Sequence, residues 1–178
     1  KKEEPEGEPP PKALATTIRL IDTYVGELSG KIFMLMIFPL VLGSTYEVIA
    51  RYASGIQAVE DALAGLTEAD LDMARAEGKG TIRQIVHHIV DGDDVWKMFV
   101  KIALGNSKAT FELQWYWDMP QTAWAEDWAY ASREIEPSLA LFHANRRHVV
   151  QLVQAIPDAW ERSLTIQWPG GDLQQVTI

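Results

Sequence analysis

The sequence predicts a mainly α-helical fold, in which an apolar helix precedes an up-down helix bundle with a small C-terminal β-hairpin. Three observations predict it. Apolar residues recur at three- and four-residue steps in three segments after residue 44, which is the period of amphipathic helices. The segment 162–178 instead alternates apolar and polar residues around Pro169-Gly170-Gly171, as in a hairpin. The run 32–43, IFMLMIFPLVLG, carries no charge.

Composition limits the function classes. A length of 178 residues suits one domain. With 16 Lys and Arg against 25 Asp and Glu the net charge is −9, so we expect no nucleic-acid partner. The absence of Cys excludes disulfides, Cys-ligated zinc, iron–sulfur clusters and thiol nucleophiles. The chain starts at Lys1 rather than Met, which fits a fragment or a trimmed chain.

The first segment, residues 1–17, is predicted to be a disordered tail. Its first twelve residues, KKEEPEGEPPPK, hold four Pro, four Glu and no apolar side chain, so they cannot bury apolar surface. They also lack the basic and apolar regions of a signal peptide.

The apolar segment that follows has two interpretations. From Ile32 to Ala50 it reaches 19 residues if Glu47 is tolerated, which favours a membrane span and a membrane or membrane-protein partner. Glu47 is then either a coupling residue or the polar end of the span. The alternative is a buried core helix in a cytoplasmic protein, in which residues 32–46 would contact Ile85, Ile89 and Trp96.

The bundle helices follow in order. The first is predicted over roughly residues 44–66, and Thr67 with Asp70 has the spacing of a capping box. The second begins after its N-cap Thr81 and ends at Gly105-Asn106. The third covers about residues 122–155, where Pro137 predicts a kink or a break.

The segment 18–52 resembles the first transmembrane helix of the small membrane subunit of TRAP transporters. The string YEVIARY, Tyr46 to Tyr52, carries most of this resemblance, with Ile21-Asp22, Gly26 and Ile37 to Leu42 before it. The resemblance implies a membrane-anchored subunit of a solute transporter, which contacts its partner through Ile32 to Ala50.

Residues from about 52 to 178 resemble the DinB/YfiT-like superfamily. The string GKGTIRQIVHHIVDGDDVWK, Gly78 to Lys97, is similar to the second helix of that superfamily. Further similar strings are Gly65 to Thr67, Asn145 to His148 and Ile156 to Arg162. The resemblance implies a four-helix bundle and a divalent-metal-dependent hydrolase or thiol-transferase-like protein. Residues 53–178 would form such a bundle without its fourth helix.

The same resemblance implies a metal site. The superfamily holds Zn²⁺ or Ni²⁺ with one His on the second helix and an HxxxH pair on the fourth. His88 matches the first ligand, and Asp91, one turn on, is a weaker candidate. His143 and His148 are five apart and point about 140° apart on a helix, so they do not match the pair. The site is therefore expected to be incomplete, and enzymatic activity stays uncertain.

Alternatives without a metal remain open for these residues. His88 can pair with Asp91 or Asp94, while His87 is expected to face outward or cap a neighbour. Asp91, Asp93 and Asp94 are expected to form a solvated face rather than a cation site.

Two further matters stay open from the sequence alone. A cluster of aromatic residues is expected to be core rather than a ligand pocket: Trp115, Tyr116, Trp117, Trp124 and Trp128. Homo-oligomerisation is open, and so is a chimeric reading frame that joins a transporter start to a bundle at Tyr52.

Overall fold

The computed structural model describes residues 45–112 and 114–178. The predicted tail 1–17, most of the apolar segment 18–52 and the predicted contact of residues 32–46 with the bundle lie outside these ranges. Among the helices of the described ranges, none has both the length and the apolarity needed to cross a membrane.

Three long helices form the body of the described fold. They are α1 (Thr45–Leu63), α3 (Ile82–Gly105) and α6 (Ile135–Ala155), with the short α2 (Glu68–Leu71) before α3. Helix α6 packs against both α1 and α3. Helix α1 continues through residues 52 and 53, where the sequence placed a segment boundary, and this boundary stays a prediction.

The predicted N-caps are confirmed. The Thr67 side chain accepts the Asp70 N–H, and the Asp70 carboxylate accepts the Thr67 N–H in return. Thr81 and Gln84 form the same reciprocal capping box at the start of α3. These boxes satisfy backbone N–H groups that a helix start leaves without intrahelical partners.

The predicted third helix is broken, although upstream of Pro137, between Asp127 and Ile135. Its sequence forms α5 (Gln121–Asp127), a 3₁₀ turn (Tyr130–Ser132) and then α6. Ala129 lies between them at a φ of +52°, a left-handed conformation that redirects the chain. Pro137 occupies the first turn of α6, where its missing N–H costs no intrahelical hydrogen bond.

The C-terminal hairpin is present within a larger sheet. Strands β2 (Ser163–Gln167) and β3 (Leu173–Thr177) are antiparallel and joined through Gly170 and Gly171, both at positive φ. A third strand, β1 (Thr110–Glu112), pairs in parallel with β2. The hairpin prediction therefore missed one strand, because β1 has three residues and pairs with a segment more than fifty residues later.

The core surrounds α3 on several sides. One cluster packs the C-terminal half of α3 against the sheet and the short α4 (Gln114–Trp117) and α5: Trp96, Phe99, Phe111, Tyr116, Trp124, Leu164 and Ile166. A second lies between α1, α2, α6 and the N-terminal half of α3: Leu71, Ile82, Val86, Val90 and Phe142.

The predicted aromatic core is confirmed for Tyr116 and Trp124, which are buried. Trp115 is exposed and stacks on Trp124, while Trp128 is half-buried. The Trp117 side chain lies outside the described atoms.

Candidate functional site

The two adjacent histidines of α3 occupy different environments. Neighbouring residues on a helix point about 100° apart, so His87 and His88 cannot face the same partner. His87 faces α6 and the turn before it, and it is 0% exposed. Its Nδ1 lies 2.9 Å from the Ser138 Oγ, and its Nε2 lies 3.2 Å from the backbone oxygen of Arg133.

These two contacts determine the tautomer of His87. A backbone carbonyl only accepts, so Nε2 carries the proton and donates to Arg133. Nδ1 then accepts from the Ser138 hydroxyl. Burial lowers the pKa of His87, in agreement with a neutral ring. Both ring nitrogens are therefore engaged. The expectation that His87 faces outward is wrong, because its partners lie on α6 and just before it.

His88, unlike His87, is partly accessible and has its ring nitrogens unused by the described residues. Its ring is half-buried, and neither ring nitrogen has a hydrogen-bond partner among the described residues. Burial lowers the pKa of His88, and the nearby Asp91 carboxylate opposes that shift. A neutral imidazole with an unused nitrogen is the form that binds a divalent metal ion.

Asp91 lies one helical turn after His88, and its side chain is 17% exposed. Its Oδ2 is buried without a hydrogen bond and lies 3.6 Å from Nη1 of Arg133. The ion pair of this carboxylate with Arg133 is therefore long, and the carboxylate also lies beside the Tyr130 hydroxyl. The structure brings Asp91 close enough to His88 for its carboxylate to act on the pKa of that imidazole, in keeping with their spacing.

The fit of a metal ion to these residues is partial. His88 offers a nitrogen and Asp91 an oxygen, and both suit Zn²⁺. Within residues 45–112 and 114–178, no group of three His, Cys, Asp or Glu could hold a metal ion. His143 instead lies beside Glu60 of α1, with 3.3 Å between its Nε2 and the Glu60 Oε1. The described residues thus supply two candidate donors but not a complete site.

The acidic residues further along α3 do not form one solvated face. The Asp93 side chain is 6% exposed and accepts from Nε of Arg146 at 3.1 Å. Tyr52 donates its hydroxyl to the same oxygen at 3.3 Å. Asp94, which is more exposed, accepts from Lys97 and Asn145. The prediction of a solvated face is therefore wrong for Asp93, because α1 and α6 close over it.

Two residues beside Asp91 were missed by the sequence analysis. Tyr130 is buried, stacks on the His87 ring and has no hydrogen bond of ordinary geometry at its hydroxyl. Burial and then the adjacent Asp91 raise the pKa of that hydroxyl. Arg133 follows three residues later and reaches Asp91. No periodicity marks them, because they lie in the irregular segment between α5 and α6.

Comparison with known proteins bears on the fold and the family of the chain. The chain aligns with YfiT from Bacillus subtilis at a TM-score of 0.60 and 18% identity, over 80% of this chain and 83% of that chain. That protein is described as a probable metal-dependent hydrolase with an unusual four-helix bundle topology. No curated protein matches the chain.

The family model of the DinB superfamily matches residues 51–177. This range contains α3, α6, about two thirds of α1, the sheet and both histidines of α3. Neither this match nor the YfiT alignment supports the transporter interpretation of residues 18–52. The chain belongs to the DinB superfamily.

Proposed function

We propose that this protein is a divalent-metal-dependent hydrolase in which His88 binds the ion. The observation that carries the proposal is the contrast between two neighbouring imidazoles. His87 uses both ring nitrogens within the fold, whereas His88 is neutral, half-buried and without a hydrogen-bond partner among the described residues. A half-buried polar ring without partners costs stability unless it serves another purpose, such as ligand binding.

Asp91 has a supporting role in this proposal. It either adds an oxygen donor to the nitrogen of His88 or acts as a general acid or base, since a carboxylate can serve in both ways. Its loose contact with Arg133 leaves it able to do so. A bound ion would supply the hydrolytic chemistry by lowering the pKa of a coordinated water.

Membership of the DinB superfamily and the likeness of the fold to YfiT support this assignment. Catalytic zinc sites use three protein ligands, which is more than the described residues supply. The proposal therefore requires a further donor from outside the described ranges or from a second copy.

Metal binding by the purified full chain tests the proposal. After equilibrium dialysis against Zn²⁺ or Ni²⁺, we expect about one ion per chain. His88→Ala should remove this binding. His148→Ala removes an exposed imidazole from α6 and should leave the binding unchanged. The metal-loaded protein should hydrolyse members of an activated ester and amide panel, and His88→Ala should not. Stoichiometric binding that survives His88→Ala would contradict the proposal.

A further inference from the structure

The Arg133 guanidinium lies beside the candidate site with weak engagement of its own. Among the described residues it makes three polar contacts. They are 3.4 Å to the Ser138 Oγ, 3.5 Å to the Trp128 backbone oxygen and 3.6 Å to Asp91 Oδ2. Charged hydrogen bonds are normally about 2.7–2.9 Å long, so all three are weak. The Arg133 side chain is 41% exposed, which leaves it open to a ligand.

Two other arginines that contact α3 or belong to it have structural roles, and their contacts can be compared with those of Arg133. Arg83 bonds Asp72 and Glu68 at 2.7 Å each, and its side chain is 8% exposed. Arg146 bonds the Tyr52 backbone oxygen at 2.7 Å and Asp93 at 3.1 Å. Both side chains are largely buried, and each makes at least one hydrogen bond of 2.7 Å. Arg133 differs from them in exposure and in bond length.

The backbone, rather than the guanidinium, holds Arg133 in place. Its carbonyl accepts from Nε2 of His87 at 3.2 Å and from Nη1 of Arg83 at 3.2 Å. Its guanidinium lies over the ring of Tyr130, 5.8 Å from the ring centre. The Arg133 backbone and the Tyr130 ring therefore keep the guanidinium next to Asp91. Its N–H donors make only the three long contacts named above among the described residues.

We propose that Arg133 anchors a carboxylate group of the substrate, which makes it a specificity-determining residue; this rests on the proposed function. A planar guanidinium fork matches a carboxylate with two parallel hydrogen bonds. The net charge of −9 repels anions in general, so such a ligand needs a local cation. Binding there would replace the 3.6 Å contact of Arg133 with Asp91 and release that carboxylate beside His88.

Binding of butyrate and of its neutral analogue butyramide tests the inference by titration calorimetry, both without metal and with Zn²⁺. The protein should bind butyrate but not butyramide. Arg133→Gln should weaken butyrate binding about ten- to hundredfold. Arg133→Lys, which keeps the charge but loses the fork, should weaken it less. Arg147→Gln removes an exposed charge from α6 and should change nothing.

A kinetic comparison gives a second measurement. For an anionic ester, the mono-para-nitrophenyl ester of glutaric acid, Arg133→Gln should raise KM with little change in kcat. For para-nitrophenyl pentanoate, which lacks the carboxylate, the same substitution should leave KM unchanged. Each variant retains the Arg133 backbone carbonyl, so its circular dichroism spectrum should match that of the parent.

The outcomes separate this inference from the proposed function. Equal butyrate affinity in the parent and in Arg133→Gln, with metal binding still dependent on His88, would overturn the anchor alone. Butyrate binding that depends on Arg133 in a protein that binds no metal would keep the anion site and reject the hydrolase. Equal affinity of the parent for butyrate and butyramide would also overturn the anchor.

Discussion

The buried ion pair between Asp93 and Arg146 joins the three long helices, and its disruption should have a large effect on stability. The Arg146 guanidinium bonds the Tyr52 backbone oxygen on α1 and Asp93 on α3, and it lies 4.3 Å from the ring centres of both Tyr52 and Phe142. Arg146→Met keeps much of the apolar stem but removes every donor. The Asp93 carboxylate, at 6% exposure, is then buried without a cation.

Removing one partner of a buried pair costs about 3–5 kcal/mol, because the other charge remains desolvated. Both side chains are buried well enough that solvent screening should not reduce this figure much. The loss compares with a total stability of about 5–15 kcal/mol for a domain. In urea unfolding of the full chain, followed by helical circular dichroism, the midpoint should fall by about 1–3 M.

Two controls make the result specific. Arg147→Met changes the exposed neighbour on the same helix and should alter stability by no more than about 0.5 kcal/mol. The double variant with Asp93→Leu removes the stranded charge and should recover part of the loss. A loss below about 1 kcal/mol for Arg146→Met would show that Asp93 is solvated, and the reasoning would be refuted.

The Asp93 carboxyl group should also make the free energy of unfolding depend on pH. Burial raises the pKa of Asp93 above its ordinary 3.8, although Arg146 opposes the shift. The folded state then binds this proton more tightly than the unfolded chain. The contribution of Asp93 to the free energy of unfolding therefore falls as the pH rises from about 3.8 through the raised pKa. Arg146→Met should extend this fall to higher pH, and Asp93→Asn should abolish it.

Two further substitutions test local packing. Ser138→Ala removes the donor to the buried Nδ1 of His87 and should cost about 1–3 kcal/mol in urea unfolding, whereas no loss would mean that the ring turns or that water replaces the hydroxyl. Gly55→Ala places a Cβ 2.2 Å from Nη1 of Arg146, which its bond to Tyr52 holds in place, and should cost about 1–3 kcal/mol. If Gly55→Ala costs the same in the Arg146→Met background, the clash is not the cause.

Features that depend on near neighbours in the sequence were predictable. The capping boxes join residues three apart, and the hairpin turn lies between the two strands that it connects. Pro137 acts on its own helix, since its ring is tolerated only in a first turn and α6 therefore begins close to it. The bundle class follows from the apolar periods, since a one-sided helix must bury its stripe against another.

Features that depend on distant partners were not predictable in the same way. Asp93 lies 53 residues from Arg146, and β1 pairs with a strand 55 positions along the chain. The spacing along α3 predicts which face of the helix each carboxylate occupies. It does not predict which residues of other helices pack against that face. The expectation of a solvated acidic face failed for that reason, because an arginine on another helix neutralises Asp93 within the core.

The tandem histidine shows how one long-range contact determines which ring is available for chemistry. Helix geometry alone requires that the two rings diverge by about 100°, and it leaves open which one faces the core. Ser138 decides this, because its hydroxyl lies 2.9 Å from Nδ1 of His87, 51 positions earlier in the sequence. With His87 fixed towards α6, the His88 ring lies about 100° further around the axis of α3. The structural role of the first histidine thus orients the second, and the candidate metal ligand depends on a hydrogen bond in which it takes no part.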